Sequence, residues 1–119
     1  MMLKRGTIVL VRFPFSSGTD AKVRPALVVQ ADRNNRRLRN TILAMITSTT
    51  GRATKEPTQL LIDLATPEGR QSGLLHTSAV SCENLITIDQ RLIFRAIGNL
   101  PLAAMKKIDV CIASALGLK

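Results

Sequence analysis

An arginine followed by a proline opens an apolar run at residues 23–30, which read VRPALVVQ. The β-branched and leucine-rich run predicts a strand buried on both faces. Pro25 lacks an N–H donor, so it belongs at the first residue or the edge of a strand, and it biases Arg24 toward extended backbone. The guanidinium of Arg24 would be held where a loop enters the core, and this position suits the binding of a phosphate. An ordinary arginine that solubilises a strand end fits the same position.

The overall charge points to a polyanionic partner. The 119 residues include 17 Lys or Arg and 8 Asp or Glu, which gives a formal net charge of +9. Neutralising phosphates is the commonest use of such a basic surface. Charge alone does not separate RNA, DNA, an anionic membrane and an acidic protein.

Several other classes of protein fit the residues poorly. The length predicts a single domain over residues 1–119 with one sizeable core. The apolar run Thr7–Val11 is too short to span a bilayer, so no membrane is expected. Cys82, Cys111 and His76 have no metal-binding spacing, and we expect neither a metal nor another cofactor. The cysteine usage and the absence of a secretion signal predict a reducing cytoplasm.

Short apolar runs predict five or six strands. They are Gly6–Phe13, Ala26–Gln30, Thr41–Ile46, Thr58–Asp63, Ser78–Ile88 with a bend near Glu83, and Leu92–Ile97. Residues 31–40 are predicted to form an electropositive loop, either a solvated turn or a nucleic-acid contact, with Arg33, Arg36, Arg37 and Arg39. Gly51–Pro57 is predicted to be a second basic loop, Thr66–Gly73 a turn-rich segment, and Asp89–Leu92 a short helical turn with an acidic cap.

The C-terminal segment is predicted to be a helix. Pro101 suits a first turn, and Gly117 is placed to end the helix. Apolar residues recur at intervals of three and four, which indicates a core-packing stripe of Leu102, Met105, Ile108, Ile112 and Leu116. Together these elements predict a mainly β, α+β fold, a small and strongly bent sheet or barrel with the helix packed against it.

A series of short motifs runs in order along almost the whole chain. The motifs are Lys4-Arg5-Gly6-Thr7-Ile8-Val9, Phe13-Pro14-Phe15, Gly18-Thr19-Asp20, Arg24-Pro25-Ala26-Leu27-Val28-Val29, Ile46-Thr47-Ser48, Pro57-Thr58, Ser78-Ala79-Val80, Thr87-Ile88-Asp89, Arg91-Leu92 and Gly98-Asn99-Leu100. Their order and spacing resemble the MazF/PemK toxins, the endoribonuclease half of bacterial toxin–antitoxin modules.

The resemblance implies a compact SH3-like barrel with a C-terminal helix, usually paired into a two-fold homodimer. It implies metal-independent, sequence-selective cleavage of single-stranded RNA by attack of the ribose 2′-hydroxyl. The products would carry a 2′,3′-cyclic phosphate and a 5′-hydroxyl. The implied partners are RNA and an antitoxin whose acidic C-terminal segment occupies the RNA groove.

The resemblance also assigns site residues. The catalytic arginine of the family matches Arg24, its catalytic threonine matches Thr47, and Glu83 occupies the place of an acidic residue that some members use. We expect Arg24 to stabilise charge on the phosphate and Glu83 to accept the 2′-hydroxyl proton. His76 is a second candidate for the base, because imidazole titrates near neutral pH, although no family motif places a catalytic histidine there. The expected RNA contacts are Phe15, Ser17, Asp20, Lys22, Ser48, Thr49, Arg52 and Lys55.

Two other functions compete with the endoribonuclease. A related toxin family uses the same architecture to inhibit DNA gyrase through the end of its C-terminal helix. The helix here ends in Ala115-Leu116-Gly117-Leu118-Lys119 and lacks the aromatic end expected for that role. A passive nucleic-acid-binding barrel is the other alternative, and it would bind RNA in a salt-sensitive way without cutting it.

Overall fold

The computed structural model describes residues 2–13 and 22–118 of the chain. Its strands are β1 (Thr7–Phe13), β2 (Lys22–Val28), β3 (Asn40–Thr47), β4 (Gln59–Ile62), β5 (Ser78–Asp89) and β6 (Ile93–Asn99). Its helices are α1 (Asp32–Arg37), α2 (Pro67–Gln71) and α3 (Leu102–Leu116), with a 3-10 turn over Gln90–Leu92. The acidic cap predicted for that turn is confirmed, since the Asp89 side chain accepts from the Arg91 amide at 2.9 Å.

The six strands form one antiparallel sheet in the order β4-β5-β3-β2-β1-β6. Register shifts interrupt the pairing of β1 with β6 and of β3 with β5. Such bulges bend a sheet and increase its twist. The predicted α+β fold is confirmed, with a bent sheet and a C-terminal helix. Of the two expected forms, a strongly bent sheet or a barrel, the described strands form the bent sheet, because β4 and β6 remain as open edges.

Both faces of the sheet are buried, which explains the continuous apolar runs of the central strands. One face, with Ile8 and Leu27, packs under α3. The opposite face gathers a second core cluster of Leu3, Val9, Val11, Ala26, Val28, Leu43 and Ile88.

Helix α3 covers the first core with a narrower stripe than the sequence predicted. Met105, Ile108 and Cys111 are its buried residues. Leu102 and Leu116, which the spacing assigned to the stripe, are 73% and 56% exposed, so the predicted stripe is too long at both ends. Within the described residues, no helix is long and apolar enough to cross a membrane.

Strand β2 starts four residues earlier than predicted, so Pro25 lies inside it. Pro25 pairs with Leu10 of β1, whereas pairing with β3 begins only at Ala26. Proline has no N–H donor, and it is tolerated at this position because no hydrogen-bond ladder joins β2 to β3 there.

Two segments predicted to be irregular contain short helices. Residues 31–40 include α1, where the buried side chain of Asn35 anchors the turn. The turn-rich segment 66–73 includes α2, whose N-cap Thr66 accepts a hydrogen bond from the Gly69 amide at 3.1 Å.

Candidate active site

An open groove of about 780 Å³ lies beside the central strands of the sheet. It lies where β2 and β3 stop pairing, with Arg24 and Pro25 on one side and residues 46–49 on the other. Apolar side chains contribute to its lining, among them Leu10, Val23, Met45 and Ile46. A separation of two central strands therefore creates the groove and exposes the polar ends of both strands.

Arg24 and Thr47 occupy matching positions on the two separated strands. Ala26 pairs with Met45, and two further steps along each strand reach Arg24 and Thr47. Both residues line the groove. The exposed guanidinium and the half-buried hydroxyl are thus presented to one ligand from opposite strands.

The hydroxyl of Thr47 is held by the turn that follows β3. Its Oγ1 accepts a hydrogen bond from the Thr49 amide at 3.1 Å. That bond uses a lone pair and leaves the hydroxyl proton free to donate. Ser48 and Thr49 also line the groove, so three consecutive hydroxyl groups face a ligand there.

The far wall of the groove is a loop that backs onto β6. Gly73 has φ +75°, and a Cβ there would collide with the carbonyl group of Ile97. The residues that follow, 74–76, also line the groove, so the close approach of Gly73 to Ile97 anchors the start of this segment. Arg95 of β6 completes the wall and adds a second guanidinium to the lining.

Glu83 lies beside the groove and is directed toward β4. Its carboxylate accepts hydrogen bonds from Thr58 Oγ1 at 3.0 Å and Gln59 Nε2 at 2.9 Å. Burial works to raise the pKa of Glu83, but bonds from Gln59, its own amide, Ser81 and Thr58 outweigh it and lower the pKa to about 2. Glu83 is absent from the groove lining, although Ser81 and Asn84 of the same bulged strand belong to it.

The structure separates the remaining predicted RNA contacts into three groups. Ser48 and Thr49 lie in the groove. Lys22, Arg52 and Lys55 are exposed but outside its lining, and Arg52 pairs with Glu56 at 3.3 Å. Phe15, Ser17 and Asp20 fall outside the described residues.

Several groove residues were not predicted from the sequence. Arg95, Leu75 and Asn84 are among them, and they lie far from Arg24 in the chain and belong to none of the family motifs. Arg95 could have been proposed from the sequence, because it is the one basic residue in the predicted strand Leu92–Ile97. Among the described residues, no three His, Cys, Asp or Glu side chains are grouped to hold a metal ion.

The protein is a basic, bent sheet with guanidinium and hydroxyl donors in one open groove. Such donors bind the phosphate oxygens of a phosphodiester chain. The sequence matches the family described as "PemK-like, MazF-like toxin of type II toxin-antitoxin system" over residues 4–116. The chain belongs to this family, so the suspected MazF/PemK relationship is confirmed.

Individual relatives agree with that assignment. The chain is 31% identical over 119 residues to the protein named Endoribonuclease EndoA of Bacillus subtilis (strain 168), and the match covers 99% of this chain and 97% of the relative. It resembles the Mycobacterium tuberculosis toxin MazF-mt6 with a TM-score of 0.76 and 26% identity, covering 95% and 98% of the two chains. It also has the fold of a mycobacterial endoribonuclease solved with its cognate antitoxin, with a TM-score of 0.77 and 22% identity over 98% and 97% of the chains.

Proposed function

We propose that this toxin is a sequence-selective, metal-independent endoribonuclease that cleaves single-stranded RNA, with mRNA as its cellular substrate. Family membership and the 31% identity to a protein named as an endoribonuclease support RNA cleavage. The observation that carries the site assignment is the meeting of Arg24 and Thr47 in one groove, from two strands whose ladder has just ended.

The proposed reaction is transfer within one nucleotide. The ribose 2′-oxygen attacks the adjacent phosphorus and the P–O5′ bond breaks. The departing 5′-oxygen takes a proton from solvent water, so a 2′,3′-cyclic phosphate and a 5′-hydroxyl are left. Negative charge grows on the non-bridging oxygens, and a planar guanidinium can stabilise it through two parallel hydrogen bonds. Arg24 supplies that fork, and Thr47 donates its free hydroxyl proton to the same phosphate.

The 2′-hydroxyl proton must pass to a base. Glu83 stays a prediction for this role, but its carboxylate is engaged by β4 and its pKa of about 2 makes it a weak acceptor. His76 lines the groove itself. The position of the two side chains therefore favours His76 as the proton acceptor.

The same proposal includes the partners and setting of the toxin. The mycobacterial relative solved with its cognate antitoxin supports an antitoxin partner for this chain. We assign that antitoxin an acidic C-terminal segment, whose charge would complement Arg24 and Arg95 in the groove. We also assign the toxin a homodimeric state, a cytoplasmic location and a single domain over residues 1–119. The homodimer can be tested by sedimentation of the purified chain.

Cleavage of a long unstructured RNA in excess chelator tests the proposal. We expect a small set of cut sequences, with 5′-hydroxyl and cyclic phosphate ends identified by end-labelling before and after phosphatase treatment. RNA left intact over a broad range of sequences would contradict the nuclease. Salt-sensitive binding without cutting would favour the passive barrel, and DNA breaks in growth-arrested cells with intact RNA would favour the gyrase inhibitor.

Substitution of Arg24 tests the site separately from the activity. Arg24→Ala should lower the cleavage rate by about 100-fold to 1,000-fold, the usual cost of one preorganised charge-stabilising donor. Arg24→Lys keeps the charge but loses the fork, and it should recover only a small part of the rate. Arg24 is exposed, so the unfolding temperature should not change. Full activity in Arg24→Ala would overturn the assignment.

A further inference from the structure

Four arginines form a second cationic surface at the end of the sheet opposite the groove. Residues 31–40 contain Arg33, Arg36, Arg37 and Arg39 and one acid, Asp32, a net charge of +3 within ten residues. All four arginines are exposed. We propose that this arginine surface, defined by these four side chains, binds the backbone of single-stranded RNA outside the cleavage groove. The proposal rests on RNA being the substrate.

The arginines are held on a rigid support. Asn35, the buried residue of α1, accepts at Oδ1 from Gln30 Nε2 at 2.9 Å and from Thr41 Oγ1 at 2.7 Å. Its Nδ2 donates to the Gln30 carbonyl at 3.0 Å, and its own carbonyl accepts from Gln90 Nε2 at 2.9 Å. A buried, satisfied polar network of this kind fixes one conformation. The six-residue helix α1 is therefore anchored by its inner side and presents its outer side to solvent.

The outer side of α1 concentrates like charge. Arg36 and Arg37 follow Arg33 by three and four residues, which places each of them next to Arg33 on the helix. Like charges at this spacing repel and destabilise a helix. Within the described residues Asp32 forms no ion pair with these arginines, and its Oδ1 instead accepts from the Arg5 amide at 2.6 Å. A polyanion laid across α1 removes that repulsion, so binding gains energy that the free protein lacks.

Three of these arginines are available to a ligand. Within residues 2–13 and 22–118, Arg33, Arg36 and Arg39 form neither a hydrogen bond nor an ion pair through their side chains. Arg37 by comparison donates to Asn34 Oδ1 at 3.0 Å. A guanidinium group without a protein partner can contact a phosphate without first breaking a hydrogen bond within the protein.

The arginine surface is too far from the groove to share a single phosphate with it. Strand β3 leads from Asn40 beside α1 to Thr47 in the groove, seven steps of about 3.3 Å each, or about 23 Å. One RNA strand must therefore extend several nucleotides beyond the cut to reach α1. The surface would raise the affinity for long RNA without taking part in the chemistry.

The test measures binding of an RNA that remains uncut. A fluorescein-labelled, unstructured RNA of about 30 nucleotides is titrated with protein carrying Arg24→Ala, alone or with R33Q/R36Q, at several salt concentrations. Two lost phosphate contacts should lower the slope of log affinity against log salt by about 1.4 and the affinity at 0.15 M salt by about tenfold. The unfolding temperature should stay the same or rise, because repulsion is removed.

The matched control is K106Q/K107Q, which removes the same charge from an exposed part of α3. It should leave the salt slope nearly unchanged. An equal loss in both double variants would overturn the proposal, because net charge alone would then explain it. An unchanged slope in R33Q/R36Q would also overturn it, even if that variant lost binding to an acidic peptide such as polyglutamate.

The outcome of this binding test does not depend on whether the protein cleaves RNA. If the chain with Arg24 intact cuts RNA but R33Q/R36Q binds long RNA normally, this inference fails and the proposed function stands. If the chain does not cut RNA but R33Q/R36Q lowers the slope as stated, the proposed function fails and the binding surface stands. With cutting intact, R33Q/R36Q should cleave an RNA of about six nucleotides at the normal rate.

Discussion

At the scale of single residues, the groove assigns unequal roles to its two candidate bases. Glu83 is oriented by Thr58 and Gln59, and that geometry stabilises the charged form of its carboxylate. A carboxylate stabilised in this way accepts protons poorly. His76 is exposed to the groove. The place of its side chain in the groove lining therefore favours the histidine.

Paired variants separate these two residues. His76→Gln should lower the cleavage rate by about 100-fold, the lower range for loss of a general base, whereas Glu83→Gln should lower it less than tenfold. The measurement is single-turnover cleavage at saturating protein, which isolates the chemical step from binding. A large loss in Glu83→Gln together with normal cleavage in His76→Gln would restore Glu83 as the base.

Glu83 should instead influence stability in acid. Its pKa falls from 4.5 to about 2 on folding, so the folded state gains stability from the ionised form above pH 4.5. That contribution disappears as the pH falls from 4.5 toward 2. Urea unfolding at a series of pH values should show a shallower loss of stability over this range in Glu83→Gln than in the unmodified protein. Parallel curves for the two proteins would contradict the bonding to Thr58 and Gln59.

At the scale of elements, the sequence predicted strands better than short helices. The runs in β1, β3 and β5 are β-branched and bounded by turn residues, so their positions follow from local pattern. Helix α1 has no such pattern, because its order comes from Asn35 bonding to Gln30 and Thr41 in other segments. Tertiary contacts of this kind are invisible in a window of ten residues.

The residues of the candidate site also differ in whether the sequence alone could predict them. Arg24 and Thr47 could be named from motifs, and the strand ends that hold them could be located. The sequence could not show that His76 and Arg95 line the same groove, because this depends on the close packing of the Gly73 segment against Ile97. A glycine in a turn-rich segment gives no indication of which strand it will meet.

The contact between the Gly73 loop and β6 should be sensitive to one methyl group. Gly73→Ala adds a Cβ where the Ile97 carbonyl lies, and it forces alanine into a positive φ. The positive φ alone costs roughly 1–2 kcal/mol, and the collision adds to it. We expect a lower urea midpoint and slower RNA cleavage, because the loop carries Leu75 and His76.

Gly51→Ala is the matched control for that variant. A Cβ at Gly51 meets no atom within 4 Å, and the residue has no positive φ. It should leave both stability and cleavage unchanged. Equal effects of the two alanines would show that the Gly73 loop does not position the groove wall.

At the scale of the whole molecule, the chain must hold two core clusters and its N-terminal segment together. Arg5 does this from one position, because it contacts three distant segments. Its amide donates to Asp32, its Nε donates to the Val29 carbonyl at 2.7 Å, and its Nη2 donates to Asp109 of α3 at 2.6 Å. Arg5 thereby joins the start of the chain to the end of β2 and to the outer side of the terminal helix.

Arg5→Ala should therefore destabilise the entire fold. Hydrogen bonds from a charged donor contribute about 1.5–3 kcal/mol when partly buried, and Arg5 is 28% exposed in its side chain. We expect a loss toward the lower end, because Asp109 is 56% exposed and can turn to water. Arg91→Ala is the control, since its bridge to Asp89 spans two residues and is 86% exposed at the arginine, so its urea midpoint should scarcely move. If Arg5→Ala unfolded no earlier than Arg91→Ala, the side-chain bonds of Arg5 would add nothing to the fold. The N-terminal segment would then be held by apolar packing and by backbone bonds, such as that from the Gly6 amide to the Val28 carbonyl at 2.8 Å.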